Sequence, residues 1–227
     1  HTPSMFYQFS KSAKNLLKSD YLIRLRYIIF GGEPLYSSHL KVWLTFCKID
    51  QPRLVNMYGI TETGIHSTIK IISETKKGDQ SVIGRTLSHQ KAYILSKDLG
   101  IAPIGAIGEL YVGGESLARG YLNSPILTKE RFITNPFQNN EEKLKNINSR
   151  LYKTGDLVRR LADGELEYIS RNDSQIQLRG LRIELGEIES KLLTFPGIYQ
   201  AVVLTYEPCN KKISHPYLVA YYVSDSG

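Results

Sequence analysis

The chain has 227 residues, of which 41% are hydrophobic, so it can bury a sizeable core as one large domain or as a large and a small domain. Its formal net charge of +7 would suit nucleic acid, but the Lys and Arg residues are dispersed without a basic stripe, which argues against nucleic acid as a partner. No apolar run approaches the ~20 residues of a membrane span, so no membrane association is expected.

The first part of the chain has the pattern of alternating helices and strands. Residues 4–18 predict a surface helix, and residues 37–47 predict an amphipathic helix that is capped by Ser37 and Ser38 and places Trp43 in the core. Two short apolar runs predict buried strands, residues 27–30 and 53–56. This order indicates an α/β layer with a ligand at the carboxyl ends of its strands.

From residue 81 onward the pattern changes to short strands separated by Gly and Pro, which indicates a small sheet or a distorted barrel. The predicted strands are residues 81–84, 91–95, 109–112, 151–154 and 165–169. A helix capped by Thr128, with Phe132 facing inward, interrupts them. The polar run 138–149 is expected to be an exposed loop. Residues 174–227 predict a β, α, β, β unit.

Residues 56–64 place an aromatic face, a hydroxyl and a carboxylate within one turn-sized segment. Asn56 can hydrogen-bond a base edge, the Tyr58 ring can stack on it, the Thr61 hydroxyl can reach a phosphate oxygen and Glu62 can hold Mg²⁺. Taken alone, the segment is better explained as a strand-to-loop corner with a buried Tyr and a solvated Glu.

Together with four other runs, this segment resembles the adenylate-forming enzymes, and most closely the amino-acid adenylation domains of nonribosomal peptide synthetases. The matching runs, in order, are residues 30–33, 56–63, 108–122, 152–157 and 171–189. They keep the family's order and span nearly the whole chain, so the chain is identified as a member of that family.

The resemblance implies a fold of α/β and α+β classes. Residues 1–172 would be the C-terminal portion of the large adenylation subdomain, a sheet layer plus a distorted β-barrel. Residues 173–227 would begin an incomplete small α+β subdomain. The family's Gly-rich phosphate loop and its catalytic lysine are not in these 227 residues, so the chain is expected to be a fragment that is inactive alone.

The resemblance also implies roles for individual residues. Thr61 and Glu62 would be catalytic, with Glu62 as the metal ligand, and Asp173 would be the hinge of the small subdomain. The expected nucleotide-binding residues are Gly32, Glu33, Asn56, Tyr58, Asp156, Tyr168 and Arg171. The expected substrate pocket comprises His1, Ile29, Gly31, Met57, Ile65 and His66, a set that looks like the pockets selecting threonine, with serine the nearest rival. His66 could instead be a satisfied core histidine.

Three positions depart from the family pattern. Lys153 stands where the family usually has Arg, so the site has an ammonium group in place of a planar guanidinium that can form two parallel hydrogen bonds. Ser170 replaces the usual Gly, and Gln177 replaces the usual Lys in a stretch associated with the carrier protein.

The implied reaction activates an amino acid with ATP and Mg²⁺ to aminoacyl-AMP and then loads it on a carrier-protein phosphopantetheine thiol. The implied partners are the amino-acid substrate, a peptidyl carrier protein, neighbouring synthetase domains and an MbtH-like protein. Cys47 and Cys209 lack metal-ligand spacing and are interpreted as free thiols of a reducing, cytoplasmic compartment. Two alternatives remain open at this stage, an acyl- or aryl-CoA ligase and a non-catalytic relic module.

Overall fold

The structure is a computed structural model, and it describes residues 1–13, 25–47, 52–73, 81–178, 180–206 and 216–224. Cys209 and the end of the predicted first helix, residues 14–18, lie outside the described residues. The chain divides into two compact units, residues 1–172 and 173–227. None of the described helices has the length and apolar content needed to cross a membrane.

In the first unit, the described residues form a nine-stranded sheet and four short helices. Its helices are α1 (Pro3–Ala13), α2 (Ser37–Leu40), α3 (Pro125–Arg131) and α4 (Asn140–Leu144). Its strands are β1 (Tyr27–Phe30), β2 (Arg53–Tyr58), β3 (Thr68–Ile72), β4 (Ser81–Thr86), β5 (Gln90–Leu95), β6 (Ile107–Gly114), β7 (Phe132–Thr134), β8 (Arg150–Arg160) and β9 (Leu166–Arg171).

Strand pairing follows the order β1-β2-β3-β4-β9-β8-β6-β5, with β7 also paired to β8. β1 and β2 are parallel, as strand–helix–strand order requires, and the other pairs are antiparallel. The mixed α/β fold class predicted from the sequence is confirmed. Among the described residues β1 and β5 are the two ends of this path, so closure into a barrel stays a prediction.

The buried side chains form separate clusters under the two parts of the sheet. Under β1 and β2, α1 and the segment after α2 contribute Phe6 and Trp43, whose rings lie 5.1 Å apart. Trp43 is fully buried, so its predicted place in the core is confirmed. The larger antiparallel part encloses a second cluster of Ile83, Ile94, Leu110, Val112, Val158 and Leu166. This core includes Val158 of β8, the strand that carries Tyr152 and Asp156 of the site described below.

The described residues of the second unit form two antiparallel strand pairs and one helix. Its elements are β10 (Gln175–Leu178), β11 (Leu181–Glu184), α5 (Leu185–Leu192), β12 (Ile198–Tyr206) and β13 (Tyr217–Ser224). β10 pairs with β11 and β12 pairs with β13, both antiparallel. The sequence predicted one strand before the helix, and the structure has a hairpin there, because Gly180 has a φ of 78° and lets the chain turn back.

Two predicted helix caps are wrong. α2 begins at Ser37, so Tyr36 occupies the N-cap position, and its backbone N–H donates to His39 Nδ1 at 3.2 Å. The predicted helix over 37–47 is also broken, since after α2 only the 3-10 turn Trp43–Thr45 follows. Thr128 lies inside α3, which starts with Pro125 at its first position. Phe132 is buried as predicted, but on β7 rather than on the helix.

Two further predictions are corrected by the structure. The polar run 138–149 is not all loop, because α4 forms within it. Asn139 Oδ1 accepts from the Glu142 N–H at 2.8 Å and Glu142 Oε2 accepts from the Asn139 N–H at 3.0 Å, which is a capping box. The predicted strand 151–154 would leave Asp156 just beyond a strand end. Asp156 instead lies in the middle of β8, which passes through Gly155 at a φ of 78°.

Candidate active site

Strand β8 is the base of the candidate site, because it brings two distant segments together. Tyr58, the last residue of β2, donates from its hydroxyl to Asp156 Oδ2 at 2.5 Å, across 98 residues of sequence. Four residues away along β8, Tyr152 donates from its hydroxyl to Glu62 Oε1 at 3.0 Å, across 90 residues. The turn at 58–62 is therefore bonded to β8 at both ends.

The Asp156 carboxylate is buried, with 3% of the residue exposed, and is held by a cation. Arg171 Nη1 donates to Asp156 Oδ1 at 2.9 Å, and Arg171 Nη2 donates to the Thr154 carbonyl at 3.2 Å. The Asp156 backbone N–H donates to Thr154 Oγ1 at 3.0 Å. Burial, followed by the neighbouring Asp156 charge, raises the pKa of Tyr58 well above its usual value, so this phenol stays protonated and donates.

The Glu62 carboxylate is also buried, with 8% of the residue exposed, and two phenols donate to it. Tyr121 donates to Glu62 Oε1 at 2.6 Å, the same oxygen that accepts from Tyr152. The two hydroxyl oxygens lie 2.9 Å apart. The Glu62 carbonyl accepts from the Ala118 N–H at 2.9 Å, so both the backbone and the side chain of Glu62 are fixed.

Three of the predicted substrate-pocket residues, His1, Met57 and His66, lie next to Gly31. The Gly31 N–H donates to the His1 carbonyl at 3.1 Å, and a Cβ placed on Gly31 would lie 3.3 Å from the Met57 carbonyl and 3.8 Å from His66 Cε1. A side chain at residue 31 would therefore fill this space. His66 Nδ1 is buried and has no hydrogen-bond partner among the described residues, which is uncommon for a buried polar atom.

Two predicted pocket residues are exposed, Ile29 at 46% and Ile65 at 66%. Ile65 has a φ of 76°, unusual for a β-branched residue, because the chain doubles back over Gly59. A Cβ on Gly59 would collide with the Ile65 carbonyl, so only glycine fits at that position. The loop that contains Ile65 and His66 thus folds directly onto the end of β2.

The structure also shows the surroundings of the other residues that were predicted to bind the nucleotide or to take part in catalysis. Asn56 is buried on β2, and its Nδ2 donates to the Val82 carbonyl at 2.9 Å. Glu33 Oε2 accepts from the Ser4 N–H at 3.0 Å at the start of α1, and Gly32 beside it has a φ of 81°. Thr61 is exposed in the 3-10 turn Thr61–Thr63.

Tyr168 and Asp173 complete the predicted set. Tyr168 lies on β9 opposite Ser81 and Val158 and packs partly buried against the second core cluster. Asp173 is the first residue of the second unit, where its Oδ1 accepts from the Gln175 N–H at 3.2 Å.

Four residues that hold the site were not predicted from the sequence. Gln90 is buried, and its Nε2 donates to the carbonyls of Thr63 at 2.6 Å and His66 at 3.3 Å. Ser116 Oγ also donates to the Thr63 carbonyl, at 2.9 Å. Tyr121 and Tyr152 lie in two of the runs that support the family resemblance, which was the available signal for them. Nothing in the local pattern distinguishes Gln90 or Ser116.

The donor set fits magnesium bound together with a phosphate ligand. No cluster of three or more His, Cys, Asp or Glu side chains that could hold a metal ion occurs in the part of the chain that the structure describes. Mg²⁺ is usually held by one or two carboxylates together with waters and substrate phosphates. Glu62 is a buried carboxylate beside an exposed hydroxyl residue, Thr61, and so matches that mode.

Comparison with known proteins identifies the family. A family model described as AMP-binding enzyme matches residues 1–122, more than half of the chain. The chain belongs to the AMP-binding enzymes. Curated relatives include a dimodular nonribosomal peptide synthase of Bacillus subtilis (strain 168), 42% identical over 217 residues, which are 94% of this chain and 9% of that protein. N-(5-amino-5-carboxypentanoyl)-L-cysteinyl-D-valine synthase of Penicillium rubens is 41% identical over 229 residues, 99% of this chain and 6% of that protein.

Solved structures of AMP-binding enzymes share the fold. A nonribosomal peptide synthetase protein with adenylation and PCP domains, bound to a vinylsulfonamide inhibitor, matches with a TM-score of 0.82 and 25% identity. The match covers 99% of this chain and 36% of that one. The Vibrio cholerae adenylation domain AlmE, in complex with glycyl-adenosine-5'-phosphate, matches with a TM-score of 0.76 and 25% identity over 97% of this chain and 40% of that one. The predicted resemblance to peptide-synthetase adenylation domains is confirmed.

The chain spans only 2% to 22% of the length of the curated relatives compared.

Proposed function

We propose that this AMP-binding chain is part of a nonribosomal peptide synthetase adenylation domain that activates an amino acid with Mg·ATP, giving aminoacyl-AMP and pyrophosphate. The observation that carries the proposal is a pair of hydrogen bonds that join the 58–62 turn to β8. One runs from Tyr58 to Asp156, and the other from Tyr152 to Glu62. Together they gather one aromatic ring and two buried carboxylates, the groups that an adenosine phosphate with its metal requires.

In this proposal the residues around Asp156 bind the nucleoside. Asp156 accepts hydrogen bonds from the ribose hydroxyls, as an acidic residue at a strand does in dinucleotide folds. Arg171 orients that carboxylate through its 2.9 Å bond, and the Tyr58 ring stacks on the base. Gly32, Glu33, Asn56 and Tyr168 complete the nucleotide contacts.

The residues of the 3-10 turn serve the reaction. A carboxylate oxygen of the amino acid attacks the α-phosphorus of ATP, the bond from that phosphorus to the bridging oxygen breaks, and pyrophosphate leaves. Since the attacking group and the phosphates are both anionic, catalysis depends on positioning and on cations. Glu62 would hold Mg²⁺, which neutralises phosphate charge, and the Thr61 hydroxyl would bond a phosphate oxygen.

The proposed amino acid is L-threonine. Gly31 leaves space beside His66, and the buried Nδ1 of His66 has no partner among the described residues, so it can bond the β-hydroxyl of the substrate. Ile29 and Ile65 offer apolar surface for the methyl group. A site built to bond a hydroxyl strongly rejects the analogue that lacks it.

The product would pass to the phosphopantetheine thiol of a peptidyl carrier protein. A solved relative with 25% identity contains adenylation and PCP domains together, which supports a carrier partner and neighbouring synthetase domains. Asp173 would act as the hinge, and its place as the first residue of the second unit is consistent with that role. An MbtH-like protein is a further proposed partner.

Amino-acid-dependent exchange of pyrophosphate into ATP by the full-length protein tests the proposal. We expect exchange with threonine at least tenfold above exchange with valine. His66→Ala should reduce this ratio at least tenfold, whereas His89→Ala, at an exposed histidine, should leave it within twofold. Valine exchange exceeding threonine exchange would reject the substrate assignment. Lack of exchange with every amino acid, together with lack of ATP binding, would reject the function and favour the relic module.

A further inference from the structure

Three oxygen atoms form a closed triangle at Glu62. Glu62 Oε1 lies 2.6 Å from the Tyr121 hydroxyl and 3.0 Å from the Tyr152 hydroxyl, and the two hydroxyls lie 2.9 Å apart. Both phenols donate to the same carboxylate oxygen, from two different elements of the chain. A carboxylate bonded in this way cannot rotate without breaking two hydrogen bonds to a charged acceptor.

The two phenol rings are themselves held in place. Phe132, which is 7% exposed, packs edge-on against both, with ring centroids 5.8 Å from Tyr121 and 4.9 Å from Tyr152. The Tyr121 N–H donates to Thr128 Oγ1 at 2.8 Å, and Tyr152 is fully buried on β8. The donors are therefore fixed before any ligand arrives, which is the condition for useful preorganisation.

Both donors to Glu62 Oε1 are phenols, and phenol side chains are ordinarily neutral near pH 7. A neutral phenol orients a carboxylate without adding a positive charge beside it.

We infer that Tyr121 and Tyr152 are positioning residues that fix the orientation in which Glu62 binds Mg²⁺. The inference rests on the proposed function, because that proposal makes Glu62 the metal ligand. Carboxylates that bind metals are commonly hydrogen-bonded by outer groups, and loss of such a group costs about 10- to 100-fold in metal affinity or activity. The opposite arrangement would be competition, in which the phenols occupy an oxygen that the metal needs, and removal of a phenol would then tighten metal binding.

The test uses Tyr121→Phe, Tyr152→Phe and the double variant of the full-length protein, with Tyr93→Phe as the matched control. The Tyr93 hydroxyl accepts a 3.4 Å bond from Asn148 and its ring stacks on Phe137, so its contacts differ from those of the two phenols at Glu62. The first readout is binding of Mn²⁺ in the presence of α,β-methylene-ATP, measured by the loss of the free-ion electron paramagnetic resonance signal. The second is the Mg²⁺ concentration that gives half-maximal pyrophosphate exchange.

Each single variant should weaken Mn²⁺ binding and raise the half-maximal Mg²⁺ concentration about tenfold, with the rate at saturating Mg²⁺ within about threefold of the unaltered protein. The double variant should be weaker still, and Tyr93→Phe should stay within twofold. Tyr121 is partly exposed, so its variant gives an answer even where Tyr152→Phe unfolds. Unchanged or tighter Mn²⁺ binding in the variants would overturn the inference alone. Lack of Mn²⁺·nucleotide binding by the unaltered protein would overturn both the inference and the proposed function.

Discussion

The two buried carboxylates of the site are held by different chemistry, although both are tied to β8. Asp156 is paired with a guanidinium, Arg171, at 2.9 Å, while Glu62 accepts from the phenols Tyr121 and Tyr152. A guanidinium neutralises the charge of its partner, whereas a phenol only orients it. The pairing at Asp156 suits a carboxylate that accepts from sugar hydroxyls. The arrangement at Glu62 suits a carboxylate that binds a cation, and each half of this contrast can be tested separately.

Arg171→Met should have the largest effect on the stability of the first unit. The side chains of Arg171 and Asp156 are 12% and 5% exposed, so the variant removes the cation from a buried ion pair. We expect the free energy of unfolding in urea to fall by about 3–5 kcal/mol. Lys145→Met removes the cation of an exposed pair with Glu141 and should cost less than about 1 kcal/mol. Equal losses in the two variants would contradict the importance of burial at Asp156.

Tyr58→Phe should have the next largest effect, because it removes one bond to a charged acceptor and leaves the ion pair intact. The expected loss is about 1.5–3 kcal/mol in the free energy of unfolding at pH 7, against a loss close to zero for Tyr27→Phe at a half-exposed tyrosine. Burial, then the charge of Asp156, raises the pKa of Tyr58, so the unfolded chain ionises this phenol first. Its contribution is therefore complete below about pH 10 and declines as the pH rises further.

Tyr58→Phe should thus flatten the alkaline decline in stability, measured as unfolding free energy between pH 9 and pH 11. A variant with the same alkaline slope as the unaltered protein would contradict the coupling of Tyr58 to Asp156.

The residues that contact Asp156 were predicted from the sequence better than the residues that contact Glu62. Tyr58, Asp156 and Arg171 were all chosen from runs of the family pattern, and the structure brings the three together. Asp156 was still placed wrongly, because the predicted strand 151–154 ended before it. β8 passes through that glycine with a register shift in its pairing on β9 beyond Leu157. A glycine with positive φ can bend a strand without ending it.

The donors to Glu62 could not be predicted from local pattern. Tyr121 and Tyr152 come from separate elements, 59 and 90 residues from Glu62, and hydrophobic periodicity gives no information about which tyrosine hydroxyl will meet a given carboxylate. Each tyrosine alone is also explained as a core aromatic, as the packing of both on Phe132 shows. The two hydroxyls meet at the same oxygen in the folded chain, where Tyr121 lies in the loop after β6 and Tyr152 lies on β8, which pairs with β6.

Gln90→Leu sharpens the contrast by loosening the loop after Glu62 without touching Asp156. In the unaltered protein, Gln90 Nε2 donates to the carbonyls of Thr63 and His66. A leucine of similar size would leave these two carbonyls with fewer donors. We expect a loss of about 1–2 kcal/mol in unfolding free energy. The threonine-to-valine ratio in pyrophosphate exchange should fall severalfold, because His66 loses its backbone support, while the KM for ATP stays within twofold.

Gln138→Leu is the control for that variant. Gln138 also donates through Nε2 to a carbonyl, that of Ile147 at 2.7 Å, but on the exposed surface. It should change neither stability nor selectivity by a measurable amount. In Gln90→Leu, the KM for ATP could instead rise by the same factor by which the threonine-to-valine ratio falls. That result would show that the two halves of the site are not separate.

A third carboxylate, Glu142, is a reference for the contrast because it is paired like Asp156 but has no role in the proposed reaction. It accepts from Lys91 Nζ at 2.6 Å and from the Asn139 N–H at 3.0 Å. The Lys91 hydrogen bond, then the Asn139 backbone bond, lowers the pKa of Glu142 to about 2. Because the unfolded carboxyl binds its proton at higher pH, this contribution is complete above about pH 4.5 and is lost as the pH falls toward 2.

Glu142→Gln should have the smallest effect on activity, and it should remove a stabilisation that is present above about pH 4.5 and fades as the pH falls toward 2. The difference in unfolding free energy between pH 6 and pH 3 should be smaller in Glu142→Gln than in the unaltered protein, whereas Glu141→Gln, at an exposed neighbour, should leave that difference unchanged. Since Glu142 lies outside the site, pyrophosphate exchange at pH 7.5 should stay within twofold. Loss of exchange in this variant would mean that ion pairing at a distance, and not the donors at Asp156 and Glu62, controls the activity.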